Sequence, residues 1–214
     1  MRWAAAFALA SAQACAQDAP QERVTAYVKG LKSHSAAARH DAVEALGRLG
    51  AAAVPAVVGA LRDRDPAVRF SACRALGNMG ASAEPAIPAL IAALKDSDPG
   101  VRQDASIALG QIGVPAVPAL AAALKDADAD ERTGACLALL RIGPAAAGAV
   151  PALGMDIEDT GHSIFERIDA CNALGHIGSP AGVPALLILM QPDLGTASIL
   201  VLIFLTIAAV TRVR

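Results

Sequence analysis

The chain has 214 residues, a net charge of −2 and 55% hydrophobic residues, of which only 3% of the chain is aromatic. That length suits one domain of several small units, and a core of Ala, Leu, Val and Ile favours packed helices over a sheet. Both signs of charge are spread evenly with no basic stripe to neutralise phosphates, which excludes nucleic acid as a partner.

At the N-terminus, residues 1–16 read MRWAAAFALASAQACA, with a cation at Arg2, an apolar run from Ala4 to Ala10 and Ala14-Cys15-Ala16 as a cleavage site. This is the layout of a secretory signal peptide. It predicts an exported protein, periplasmic or membrane-associated and facing outward. The alternative is an uncleaved N-terminus on a cytoplasmic protein. Cys15 follows Ala12-Gln13-Ala14, which resembles a bacterial lipobox with Ala12 in place of the usual Leu, so lipidation at Cys15 stays open. Residues 17–25 read as a linker.

From 26 to 190 the chain repeats itself. DAVEALGRLG ends at Gly50, SACRALGNMG at Gly80, DASIALGQIG at Gly113, GACLALLRIG at Gly143 and DACNALGHIG at Gly178, in steps of 30, 33, 30 and 35 residues. A period of this size marks units that cannot bury their apolar faces alone and must stack. Each unit reads as two helices. The first begins near Pro55, Pro88, Pro118, Pro151 or Pro184 and ends near Leu61, Leu94 or Leu124 in the best copies. The second begins after Ser35, Asp65, Asp98, Asp128 or Ser163, all N-cap types. Pro66 and Pro99 stand at the first helical position, while Asp128 with Glu131 and Ser163 with Glu166 have capping-box spacing. The closing glycines stop the helices by taking a positive φ at low cost.

Residues 191–214 form a separate segment containing ASILVLIFLTIAAV (Ala197–Val210) ahead of Arg212 and Arg214. Two readings fit. As a stop-transfer helix it is a membrane tether that leaves the arginines inside; as a last helix it caps the stack. A truncated or shifted reading frame is a third account of the abrupt end of the repeat after Asp193.

Four residues past each cap stands an arginine: Arg39, Arg69, Arg102, Arg132 and Arg167. Six residues before three of them stands Asp63, Asp96 or Asp126. Taken together, LRDRDPAVRFSACRALGNMG and LKDSDPGVRQDASIALGQIG resemble HEAT repeats, specifically the short bacterial type of the phycobilisome lyases, from about Tyr27 to about Met190. The resemblance implies an all-α, right-handed α-solenoid of about five helical-hairpin repeats. It also implies a ladder in which Asp63, Asp96 and Asp126 tie Arg69, Arg102 and Arg132 into the stack, interrupted where Ser33 and Gly161 replace the aspartate.

Cys73, Cys136 and Cys171 share one repeat position with Val43 and Ser106, a slot for small residues. Equivalent helices lie about 8–10 Å apart, beyond the Cα separation of about 7 Å that a disulfide tolerates, so no disulfides are expected. No zinc motif, nucleotide loop or nucleophile elbow occurs, and the His-Glu pair by which HEAT-repeat deoxyhypusine hydroxylases hold iron is missing. No cofactor, metal or catalytic group is expected.

At 100° per residue, Val68, Ala72, Ala75, Leu76 and Met79 form the core side of one second helix, while Phe70, Ser71, Arg74 and Asn78 point away. If the second helices line the concave side, the partner-binding residues are His40, Glu44, Phe70, Arg74, Asn78, Gln103, Ile107, Gln111, Leu137, Arg141, Ile168, Asn172 and His176, with Asp41, Asp104 and Asp169 along one flank as attractors of a basic segment. These positions vary between units while core positions repeat. The expectation is a non-catalytic scaffold for a protein or peptide partner. The alternative, an accessory enzyme subunit or lyase-like holder of a tetrapyrrole, rests on the resemblance alone.

Overall fold

The computed structural model describes residues 21–178, apart from 127 and 160. The stretch 1–16 expected to be a signal peptide, Cys15 and the apolar segment at 191–214 lie outside the described residues. So does Pro184.

Five helical pairs stack among the described residues. They are α1 (21–30) with α2 (Ala36–Leu49), α3 (Val54–Ala60) with α4 (Pro66–Met79), α5 (Ile87–Ala93) with α6 (Pro99–Ile112), α7 (Val117–Ala123) with α8 (Ala129–Ile142), and α9 (Val150–Glu158) with α10 (Ile164–Ile177). Residues 21–25, placed in a linker by the sequence, are helical, and Val24 is in the core. The second helix of every pair has 14 residues. Each packs on the second helix of the next pair, and the first helices form a parallel layer behind them.

The links between pairs hold short 3-10 turns that sequence reasoning missed, at Gly50–Ala53, Gly80–Ala86, Val114–Ala116 and Gly143–Ala149. Six of their alanines, Ala53, Ala83, Ala86, Ala116, Ala146 and Ala149, are fully buried. Through one such link the chain bends by 115° between α6 and α7. Two runs, Ala36–Ala60 and Ala129–Glu158, are long and apolar enough to cross a membrane. Each is in fact two helices around a positive-φ glycine, with its apolar side buried against neighbouring units.

All five caps form. The side chains of Ser35, Asp65, Asp98, Asp128 and Ser163 accept N–H groups of the first turn. Ser163 and Glu166 complete a capping box, whereas Asp128 and Glu131 make only half of one. The reason is local: Asp126 Oδ1 already accepts the Asp128 N–H at 2.9 Å, and Glu131 turns to Lys95 at 2.6 Å. At the other end, Gly178 is left-handed, but Gly50, Gly80, Gly113 and Gly143 combine φ of 59, 56, 81 and 65° with ψ near −137°. That region is open essentially to glycine alone, a stricter demand than a left-handed cap that Asn also satisfies.

The core is built from one stripe. Leu46, Leu76, Leu109, Leu139 and Leu174 are equivalent, and each is 0% exposed. Flanking alanines such as Ala72, Ala75, Ala105 and Ala108 are buried with them and let the long helices approach closely. The glycine after the leucine serves this approach rather than ending the helix. A Cβ at Gly77 would stand 3.2 Å from the Ala108 backbone and collide with the Gln111 side chain. Gly59, exposed on α3, has nothing within 4 Å. Gly59→Ala should therefore raise unfolding free energy by about 0.5–1 kcal/mol through helix propensity. Gly77→Ala should lower it by about 1–3 kcal/mol through overpacking. Urea denaturation measures both, and a gain at Gly77 would contradict the close packing.

Candidate functional site

The loop before each long helix is held by the motif that repeats most faithfully. Asp63, Asp96 and Asp126 accept the N–H of the cap two residues on, at 3.0, 2.9 and 2.9 Å, and Ser33 does so at 3.2 Å. The arginine of the following turn reaches back across the loop. Arg39, Arg69, Arg102 and Arg132 donate from Nη1 to the carbonyl six residues earlier, at 2.7, 3.0, 2.8 and 2.8 Å.

Between units the Asp–Arg ladder is only partly as expected. Arg69 grips Asp96 of the next unit with two bonds, 2.7 Å from Nε and 2.6 Å from Nη2. Asp63 and Asp126 instead pair with Lys32 at 2.6 Å and Lys95 at 2.9 Å. Arg102 lies 3.5 Å from Asp130, and Arg132 pairs with Glu166, which also accepts the Ser163 N–H. The guanidinium seeks whichever acid the next unit offers. In the last unit Arg167 Nε donates to the Ile157 carbonyl at 2.7 Å. Burial works against the charge on Asp96, but Arg69 and the Asp98 N–H outweigh it and hold the carboxyl below its usual range.

The three described cysteines are free and buried. Burial pushes the Cys73 thiol up to about 12 and the Cys171 thiol to about 11, and raises Cys136 as well. Thiols held protonated in this way are not nucleophiles. Among the described residues no three of His, Cys, Asp and Glu are grouped to hold a metal ion.

The thirteen face residues lie in three rows along the long helices, which Arg48 and Thr133 complete at the two remaining equivalent positions. The row Arg48, Asn78, Gln111, Arg141 and His176 is exposed throughout. Each middle member rests on the glycine seat of the unit before: Asn78 on Gly47, Gln111 on Gly77 and Arg141 on Gly110. Asn78 Nδ2 donates to Glu44 Oε1 at 3.0 Å. His40, Arg74, Gln103, Leu137 and Asn172 are also exposed, Leu137 at 40%. Phe70 and Ile168 depart from expectation. Both are half-buried and pack on the core, with the Arg74 guanidinium 5.7 Å from the centre of the Phe70 ring. Ser71, expected to point outward, is buried and donates to the Ala67 carbonyl at 2.7 Å.

Phe70, Arg74, Asn78, Asp104, Ile107 and Gln111 line a groove of about 240 Å³. Asn78 and Gln111 also line an open groove of about 450 Å³ beside Glu44 and Arg48. A third, about 400 Å³, runs between Gln103, Leu137 and Arg141. The acidic flank is not the exposed strip the sequence suggests. Asp104 and Asp169 are half-buried and burial raises both carboxyls, opposed at Asp104 by Arg74 and Arg141 and reinforced at Asp169 by Glu166. Asp104 Oδ2 is buried without a hydrogen-bond partner among the described residues.

Sequence reasoning missed one polar cluster. Asp156 stands where the other short helices carry the buried Ala60, Ala93 and Ala123. His162 comes from a loop two residues longer than its counterparts, counted from Ile157 to Ser163 against Leu61 to Asp65. The two departures meet: His162 Nδ1 is 2.8 Å from Asp156 Oδ1, off the line of a good hydrogen bond, and the Cys136 thiol is 4.0 Å from Oδ2. Aligning the short helices would have revealed it. Burial raises the Asp156 carboxyl, against the pull of His162 and Arg132. With the folded value above the unfolded one, its contribution to stability is complete below the ordinary carboxylate pKa and is lost as pH rises through the raised value. His162→Ala, which strips the partner from a buried carboxylate, should cost about 1–3 kcal/mol at pH 7 and less at pH 4. Asp156→Ala, which restores the residue of the other units, should stay within about 1 kcal/mol of the parent at both. Urea titrations decide this, and a neutral His162→Ala at pH 7 would contradict the pairing.

The family model for HEAT repeats matches residues 24–90, 54–141 and 87–159. No curated protein matches the chain. Among solved structures, the complex of CpcE and CpcF of phycocyanin lyase from Nostoc sp. PCC7120 is similar with a TM-score of 0.51 and 21% identity, over 70% of this chain and 96% of that one. Human deoxyhypusine hydroxylase in complex with glycerol gives 0.44 and 23%, over 86% and 83%. A designed armadillo repeat protein in complex with the peptide (KR)4 gives 0.42 and 21%, over 71% and 80%. At these identities the first likeness concerns the fold alone.

Proposed function

We propose that this chain, which belongs to the HEAT-repeat family, is a non-catalytic interaction module that takes a protein or peptide partner along the open face of its long helices, the side that such solenoids turn inward. HEAT solenoids are typical protein-interaction scaffolds. The observation that carries the reading is the contrast between equivalent positions. The leucine at 46, 76, 109, 139 and 174 never changes and is fully buried, whereas the residues at 40, 70, 103, 133 and 168 are His, Phe, Gln, Thr and Ile. A constant scaffold under a variable face is how repeat proteins carry binding surfaces. The grooves along that face mix apolar Ile107 and Leu137 with amides and guanidinia, a composition suited to a peptide. The leader-like N-terminus, and the apolar tail if it is a tether rather than a cap, support a site of work outside the cytoplasm.

The test is a selection of random decapeptides on the full chain and on a variant with Gln103→Ala, Leu137→Ala and Arg141→Ala. All three are exposed, so the melting temperature should hold. Selected peptides should bind the variant at least about 10-fold more weakly, a loss of about 1.4 kcal/mol. Equal binding by the variant would remove the face from the account.

A further inference from the structure

We infer that the side of α10 turned away from α8 is the docking surface for one more long helix, and that its occupant is this chain's own C-terminal stretch, residues 194–207. The inference does not depend on what the open face binds.

Every earlier long helix uses one side to hold its successor. On α2, Ala36, Arg39, His40 and Val43 line a cavity together with Ser71 and Arg74 of α4. On α6, the equivalent Pro99, Arg102, Gln103 and Ser106 do so with Gly134 and Leu137 of α8. One turn further on lie the glycine seats. A Cβ at Gly47, Gly77 or Gly110 would stand 2.9 Å from Asn78 Cβ, 3.2 Å from Ala108 Cα or 2.8 Å from Arg141 Cβ, each on the following helix; α8 has Leu140 there instead.

On α10 the same side carries Ile164, Arg167, Ile168, Cys171 and Gly175. Gly175 is exposed, is not one of the positive-φ glycines, and has nothing within 4 Å of a Cβ among the described residues. Glycine inside a helix is less stable than alanine. No described neighbour requires one at 175, but a successor helix does.

The sequence beyond Gly178 has the phase of that successor. Counted from Gly178 as the complete 30-residue steps are counted from Gly50 and Gly113, Ala181 matches the buried link alanines Ala53 and Ala116, and Leu189 matches Leu61 and Leu124. Asp193 falls on the caps Asp65 and Asp128, and Phe204 on the core leucines Leu76 and Leu139. Ala208 stands in place of the closing glycine. Asp193 as cap and Ala208 as stop leave 14 residues between them, the length of every described long helix. The apolar run at 197–210 is also 14 residues, shorter than the about 20 that span a bilayer.

Departures on the two sides match. Ile164, 46% exposed, replaces Ala36, Pro66, Pro99 and Ala129. Ile199 replaces Asp41, Ser71, Asp104, Gly134 and Asp169. These are positions that face each other across earlier seams, as Ala36 faces Ser71 and Pro99 faces Gly134. Leu202, at the phase of Arg74 and Leu137, falls opposite Ile168. Large apolar groups thus appear in pairs, one on α10 and one on the tail, where other units pair small or polar ones. The acids that engage Arg69, Arg102 and Arg132 are replaced in the tail by Gln191, Gly195 and Thr196, and Arg167 accordingly turns to the Ile157 carbonyl.

Two measurements on the full chain test this. Gly175→Ala should lower the urea midpoint and shift the unfolding equilibrium about 10-fold, about 1.4 kcal/mol, in the direction of Gly77→Ala and opposite to Gly59→Ala. Asn172→Cys/Thr206→Cys, treated with a short bismaleimide, should give a product joining the two positions within one chain. Glu44 and Asn78 hold the equivalent positions and bond across their seam at 3.0 Å. Cys73, Cys136 and Cys171 are buried and protonated, and peptide mass mapping separates any product of Cys15. Stabilisation by Gly175→Ala would show an empty seat and overturn the inference. So would a product joining two chains, which gives the place to a second copy, or no product from protein that only detergent releases from membranes, which gives the tail to the bilayer. Absence of the intrachain product from soluble protein would overturn it equally.

Discussion

Each long helix can bury its alanine and leucine stripe only against the long helices on either side, and that contact governs the rest of the molecule. Alanines at the interface and a glycine beside the buried leucine bring the helices close, so that a single Cβ added at Gly77 would meet the backbone of the next helix. Close approach leaves no room for large side chains at the Cys73 position, where Val43, Ser106, Cys136 and Cys171 stand in the other units. It also requires each helix to start and stop at the same height. A side-chain cap and loop bonds secure the start, and a positive-φ glycine secures the stop, with ψ near −137° in four helices and a left-handed Gly178 in the fifth. The 14-residue length shared by all five long helices is the outcome of those two fixed ends.

Once the ends and the interface are fixed, the opposite side of each long helix is free to vary. The structure separates two populations of arginine. Those four residues past a cap are drawn into the loops and the neighbouring units, where burial makes a charge-assisted bond matter. Arg48, Arg74 and Arg141, on the other side of the helix, stand on the surface, the latter two in the field of the half-buried Asp104. The Asp156–His162 pair is a third kind of polar feature, confined to the last described unit. There a buried alanine has become a carboxylate, and a lengthened loop brings an imidazole beside it.

Much of this was legible in the sequence because it repeats. Caps, closing glycines, core leucines and free cysteines follow from residues that recur at one phase, and repetition turns weak local signals into strong ones. What escaped was set by contacts between units. The pairing of Arg102 with Asp130 and Arg132 with Glu166, rather than with the loop aspartates, depends on which acid the next unit brings within reach. Phe70 and Ile168 fall on the outward side of a helical wheel, yet neighbouring helices cover half of each side chain. The role of the glycine seats at Gly47, Gly77 and Gly110 is not visible in a sequence, because it depends on a neighbour about 3 Å away on the next helix. Asp156 is a single departure in the short helices, whose pattern repeats less strictly than that of the long ones, and its partner His162 comes from a loop two residues longer than its counterparts.

The claim beneath all of this is that scaffold and face are separable: the face residues add recognition and little stability. The most direct measurement replaces the exposed row Arg48, Asn78, Gln111, Arg141 and His176 with alanine together and follows urea denaturation. Alanine favours helix, and the one hydrogen bond lost, Asn78 to Glu44, is exposed, so the unfolding free energy should stay within about 1 kcal/mol of the parent. A loss of several kcal/mol would show that the row is part of the stack, and the separation between scaffold and face would fail.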